Sequence, residues 1–171
     1  FDNAIKAASD ACFVADVTQD GYFDIAKLGL GLFNALFEKK HGFDEAKNAA
    51  EAALKSDIPF MYLEVALNVF ELLVKNERYI NEAVTVAADE VKLANPFPGY
   101  VQGSVRLFYN LLEKGYGVEE AINYAEAKIK SDDPYRRKIG FELFKMLVKN
   151  GYGVEKAIQA AQDGIKSKNT S

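Results

Sequence analysis

Five segments of the chain carry one short pattern: Phe1-Asp2-Asn3-Ala4, Phe43-Asp44-Glu45-Ala46, Ile80-Asn81-Glu82-Ala83, Val118-Glu119-Glu120-Ala121 and Val154-Glu155-Lys156-Ala157. The alanines at 4, 46, 83, 121 and 157 stand 42, 37, 38 and 36 residues apart. Four residues beyond each stands another alanine (Ala8, Ala50, Ala87, Ala125, Ala161), and eight beyond stands Cys12, Leu54, Val91, Ile129 or Ile165. Steps of four and eight keep to one face of an α-helix, so each copy predicts a helix, here called B. Self-similarity at this period is the signature of stacked helical units, each too small to bury its own apolar face.

A second helix, A, precedes each of the last four B copies. Its marker is a phenylalanine thirteen residues before the anchoring alanine, at Phe33, Phe70, Phe108 and Phe144. A leucine or valine comes just before it, a leucine three residues after it, and a small residue four before it: Gly29, Ala66, Ser104 and Gly140. Glycine inside a helix costs about 1 kcal/mol relative to alanine, so its use at two of these positions implies a contact too close for a larger side chain. The loop from A to B has one length. Gly115 and Gly151 fit the left-handed conformation just past a helix end. Acidic Asp44, Glu119, Glu120 and Glu155 open the B helices and Lys55, Lys92, Lys130 and Lys166 close them, as the helix macrodipole favours. The junctions from B to the next A vary in length and hold all four prolines.

The expectation is an all-α chain of about nine antiparallel helices: a partial first repeat over 1–20, then hairpins over 22–56, 58–94, 96–131 and 133–168, forming a single domain over 1–171. No strand pattern competes with the helical period. Phe1 occupies a B-helix slot with no helix A before it, which predicts a chain that continues upstream.

The stretch from Ser131 to Phe144, with Asp133-Pro134 opening a helix, Arg137 following and Gly140 and Leu143 behind, resembles a HEAT repeat. The period and the two helices per unit are similar too. The Gly-Tyr-Gly-Val-Glu loops are faintly similar to those of Sel1-like repeats. The resemblance implies a HEAT-like solenoid, a right-handed α/α superhelix, with protein or peptide binding as its function and the B helices along the concave side. The Asp-to-Arg pairing common in HEAT arrays is available here only through Asp133 and Arg137.

Chemistry leaves few traces. One His, one Cys and no Trp exclude an internal disulfide and a Cys/His metal cluster. His41 reads as a loop residue and Cys12 as a small buried apolar one, because it stands where other copies have Leu or Ile. The expectation is therefore no enzyme and no cofactor. No apolar run reaches about 18 residues, so no membrane partner is expected. A net charge of -4 disfavours nucleic acid. The free cysteine fits the cytoplasm, with a secreted effector as the alternative.

Binding remains, and helical geometry says where. With 100° per residue, the apolar stripe of helix B centres at about 55° and the opposite face at about 235°. Offsets +2, +6 and +9 from the alanine point outward. They supply the candidate partner-binding set Asn48, Thr85, Asp89, Lys92, Asn123, Lys130, Gln159 and Asp163, joined by Tyr124 as the bulky residue in the +3 column. Amides donate and accept together, which suits the backbone of an extended peptide. The rival expectation is a HEAT-like enzyme or accessory factor acting on nucleic acid, like the alkylpurine DNA glycosylases, or a lyase-like accessory. The lysines favour that rival, and the acidic +6 column opposes it.

Overall fold

A computed structural model describes residues 1–14, 21–55, 60–89 and 98–168, excepting the side chains of residues 60, 61, 98–101 and 164–168. The described residues form nine α-helices and no strand: α1 (Asp2–Phe13), α2 (Tyr22–Glu38), α3 (Phe43–Lys55), α4 (Phe60–Lys75), α5 (Ile80–Ala88), α6 (Pro98–Glu113), α7 (Val118–Ile129), α8 (Pro134–Lys149) and α9 (Val154–Lys168). Odd-numbered helices are the B type and even-numbered ones the A type. They group into two compact units, Phe1–Leu107 and Phe108–Ser171.

Local chemistry explains the helix ends. Asp133 caps α8, its carboxylate accepting from the Tyr135 N–H at 2.9 Å, with Pro134 in the first turn, where a missing N–H costs nothing. The Asp133 carboxylate pairs with Arg136 at 3.7 Å, whereas Arg137 donates to the carbonyls of Ser131 and Asp132 at 2.9 and 2.8 Å. The expected Asp133–Arg137 pair therefore does not form. The cap holds the carboxylate toward the helix start, and the orphan junction carbonyls draw the guanidinium.

All four A-to-B loops share one backbone. Residues 40, 77, 115 and 151 are left-handed, and so are 42, 79, 117 and 153 two positions on. The residue between them closes a Schellman turn: the N–H groups of His41, Arg78, Tyr116 and Tyr152 reach the carbonyls of Leu36, Leu73, Leu111 and Leu147 at 2.8–3.0 Å. The second left-handed residue then accepts from the anchoring alanine's N–H, as Gly42 does from Ala46 and Tyr79 from Ala83. Two loops use glycine at both positions, but the second loop uses Glu77 and Tyr79. A non-glycine residue there carries strain of order 1 kcal/mol.

The marker residues lie where the period put them. Phe33, Phe70, Phe108 and Phe144 are buried, as are Ala8, Ala46, Ala50, Ala83, Ala87, Ala121 and Ala125. The closest approach, however, joins α1, α3 and α7 to the A helix that follows each, across the variable junction. A Cβ placed on Gly29 of α2 would lie 2.9 Å from the Ala8 carbonyl oxygen and 2.7 Å from the Cys12 sulfur of α1. On Gly140 of α8 it would lie 2.8 Å from the Ala125 carbonyl oxygen and 2.9 Å from the Ile129 nitrogen of α7. The same two B-helix positions receive the same A-helix position in both units. At the equivalent site in α6 stands Ser104, fully buried, whose hydroxyl finds no hydrogen-bond partner among the described residues.

Successive copies also meet in one register within each unit. The second left-handed loop residue lies over the residue after the preceding alanine: Gly42 over Ile5, Tyr79 over Lys47, and Gly153 over Ile122. The side chain between the two left-handed residues stacks on the first residue of the preceding copy, His41 on Phe1 at 3.8 Å and Arg78 on Phe43 at 5.2 Å. Cys12 is fully buried in this packing and Ile5 lies against Gly42, whereas Phe1 keeps 64% of its surface exposed.

Two stability series follow. Gly29→Ala and Gly140→Ala should each cost about 1–3 kcal/mol, since backbone rather than a flexible side chain must yield. Gly31→Ala, whose new methyl meets nothing within 4 Å, should gain about 0.5–1 kcal/mol. Urea unfolding monitored by circular dichroism separates the two signs. In the loops, Glu77→Gly should raise the stability by about 1 kcal/mol and Gly151→Ala should lower it by about the same amount. Equal shifts in one direction would show that the left-handed backbone is not what these positions select.

Candidate functional site

The outward columns of the B helices are exposed as helical geometry requires. Asn48 on α3, Thr85 on α5, Asn123 on α7 and Gln159 on α9 all face solvent. One turn on come Asp10, half-buried, and Ala52, Asp89, Ala127 and Asp163, all exposed. Lys55 and Lys130 close the column at the ends of α3 and α7, and Lys92 lies outside the described residues.

Offsets +2 and +6 are four residues apart, so they also pair with each other. Lys6 bonds the Asp10 carboxylate, and the Gln159 amide donates to Asp163 at 2.9 Å. Thr85 turns its hydroxyl back to the Asn81 carbonyl at 3.0 Å, and Asp89 stands at the end of α5, its N–H bonded to the Thr85 carbonyl. Such exposed pairs contribute a few tenths of a kcal/mol and exchange readily for a ligand's groups. Asn48 and Asn123 have no pairing of this kind, because alanine stands four residues beyond each.

Tyr124 does not belong to this surface. It is only 7% exposed, its ring set edge-on to Phe108 at 5.4 Å, with the Lys128 ammonium 5.0 Å above its face. This corrects its expected place as a contact anchor. At +3 it lies on the flank of the apolar stripe, where a large ring gains more by covering Phe108 of the preceding helix than by standing in water. Burial, and next the charge of Arg136, push the Lys128 ammonium below its ordinary pKa.

A second cluster escaped the sequence. Along the loop edge of the first unit, Phe37 stacks on Phe43 at 4.5 Å, Arg78 lies over Phe43, Lys47 lies 5.3 Å over the Tyr79 ring, and the Tyr79 hydroxyl donates to Asp44. The Asp44 hydrogen bond, then burial, push the Tyr79 phenol up to about 12. The available signal was the replacement of two glycines by Glu77 and Tyr79, with Arg78 between them. These groups satisfy one another and tie two copies together.

Burial also raises the Cys12 thiol to about 12, so it is protonated and unreactive near neutral pH. Among the described residues no group of three His, Cys, Asp or Glu is placed to hold a metal ion, and no helix is long and apolar enough to cross a membrane. No protein-family model, curated protein or solved structure matches the chain.

The two neighbouring side chains on α7 should behave oppositely. Tyr124→Ala should cost about 3 kcal/mol by emptying the space beside Phe108. Asn123→Ala should stay within about 0.5 kcal/mol of the parent. Thermal unfolding of both variants checks the assignment of one to the core and the other to the surface.

Proposed function

We propose that the chain is a non-enzymatic scaffold of HEAT-like helical repeats that presents the outward face of its B helices to a protein or an extended peptide. The observation that carries this reading is the column of amide and hydroxyl side chains. Asn48, Thr85, Asn123 and Gln159 occupy one position of successive copies and stand exposed, while the alanines two residues before them are packed inside or, on α9, half-covered. Exposed amides offer a donor and an acceptor on one side chain, which is what a peptide backbone requires. Thr85 and Gln159 are held by partners within their own helices, which yield at little cost, and Asn48 and Asn123 have alanine four residues on.

Recognition by such a face would be polar and of modest affinity, with backbone bonds supplying register and the flanking lysines selecting acidic ligand side chains. Peptides selected from a random display library against the parent chain should bind Asn48→Arg/Asn123→Arg at least tenfold more weakly, with the helical spectrum unchanged. Undiminished binding by that variant would place the contact elsewhere.

A further inference from the structure

Packing explains why inward positions recur from copy to copy, but it gives the outward ones no reason to agree. On two of the five B helices they agree nonetheless. At offsets +2, +5, +6 and +9 from the anchoring alanine, α3 carries Asn48, Glu51, Ala52 and Lys55, and α7 carries Asn123, Glu126, Ala127 and Lys130. The corresponding residues of α1, α5 and α9 share no more than the closing lysine with this set. Both helices have a further copy before and after them in the sequence.

The two sets also share an unmade bond. Asn48 and Asn123 stand exposed, and their amides find no partner among the described residues, whereas Lys6 bonds Asp10, Thr85 bonds the Asn81 carbonyl and Gln159 bonds Asp163. One turn on, exposed Ala52 or Ala127 leaves a step with nothing beyond Cβ. The glutamate on the flank is already matched, Glu51 by Lys47 at 3.5 Å and Glu126 by Lys156 of α9 at 3.8 Å. Lys55 reaches Glu51 only at 4.0 Å with its side chain 76% exposed, and exposed Lys130 makes no ion pair among the described residues. Each set thus offers an amide, a low step and a cation to spare.

These three groups lie within about 60° of one another around the helix, and the amide and the lysine are about 10 Å apart along its axis. An extended chain advances about 3.3 Å per residue, so a peptide laid over the alanine with its backbone on the amide brings the side chain three residues away to the lysine. A carboxylate is the side chain that a lysine in that place selects.

We propose that α3 and α7 each carry one copy of the same subsite, for an extended peptide segment whose backbone pairs with Asn48 or Asn123 and whose Asp or Glu, three residues away, reaches Lys55 or Lys130. This rests on the outward B-helix face being the binding face, and it makes α1, α5 and α9 bystanders.

The probe is a random heptapeptide selected by display on the intact chain carrying Asn123→Arg, which leaves α3 alone. Calorimetric titration then compares that chain with Asn48→Arg, the parent and the double variant, after circular dichroism has confirmed unchanged helices. Binding to the two single variants should agree within about threefold, the parent should take two peptides, and the double variant should bind at least about tenfold more weakly. Alanine in place of the peptide's acidic residue, or Lys55→Ala in the Asn123→Arg chain, should weaken binding by a similar factor, and Gln159→Arg should leave it unchanged. A tenfold loss on passing from Asn123→Arg to Asn48→Arg overturns the proposal while leaving the outward face as the binding face. So do selected peptides without an acidic residue, or displacement of the peptide by a single-stranded oligonucleotide, which would assign the lysines to nucleic acid. No selectable peptide, or binding that survives the double variant, removes the binding role of the face as well.

Discussion

The contact on which the structure depends is the near-touching of two helix backbones where a B helix meets the A helix after it. Gly29 sits on Ala8 and Cys12, and Gly140 on Ala125 and Ile129, with no space for one more methyl group. Such proximity multiplies dispersion contacts along both helices and lets the flanking phenylalanines and leucines close over the seam. It also explains the alanine richness of the B helices. Alanine at the first two anchor positions keeps the helix surface low enough for a neighbour's backbone, and the phenylalanines and most leucines are left to the A helices. The buried Ser104 shows the same constraint from another side: the site admits a hydroxymethyl group and provides its hydroxyl no partner among the described residues.

The A-to-B loop fixes what the junction leaves free. A Schellman turn followed by a second left-handed residue makes every hairpin bend alike, so each A helix delivers its B helix in the same rotation. Because the bend is imposed by packing on both sides, Glu77 and Tyr79 adopt a backbone that glycine would adopt without strain. Tyr79 offsets part of that cost through Lys47 and Asp44 of the preceding copy. A sequence feature that looks like the loss of a turn signal is thus a gain of contact between copies.

A chain built this way separates its surfaces by chemistry. Buried side chains between copies are mostly small or apolar, with Arg106 paired to Glu71 at 3.0 Å and Lys156 to Glu126 at 3.8 Å at their margins; those across the outward B-helix face are mostly amides, hydroxyls and carboxylates, and the loop edge carries stacked rings and cations. The outward face is satisfied within single helices, at energies a ligand can replace, whereas the loop-edge groups are satisfied between copies and resist replacement.

The helical period, the buried phenylalanines, the anchoring alanines and the exposure of Asn48, Thr85, Asn123 and Gln159 were all readable from spacing, because 3.6 residues per turn assigns each position a direction before any neighbour is known. The left-handed turns were readable where glycine marks them and hidden where Glu77 and Tyr79 stand. Three matters belonged to the tertiary structure alone. One is the closeness of α1, α3 and α7 to the A helix that follows each; the pairing across the loop presents the same stripes, and only backbone distance distinguishes them. Another is the side taken by Tyr124, which lies at the flank of its stripe, where the reach of Phe108 decides. The last is the pairing of Asp133 with Arg136 and of Arg137 with backbone carbonyls, since sequence spacing says which groups can meet and the orphan acceptors of a junction determine which do.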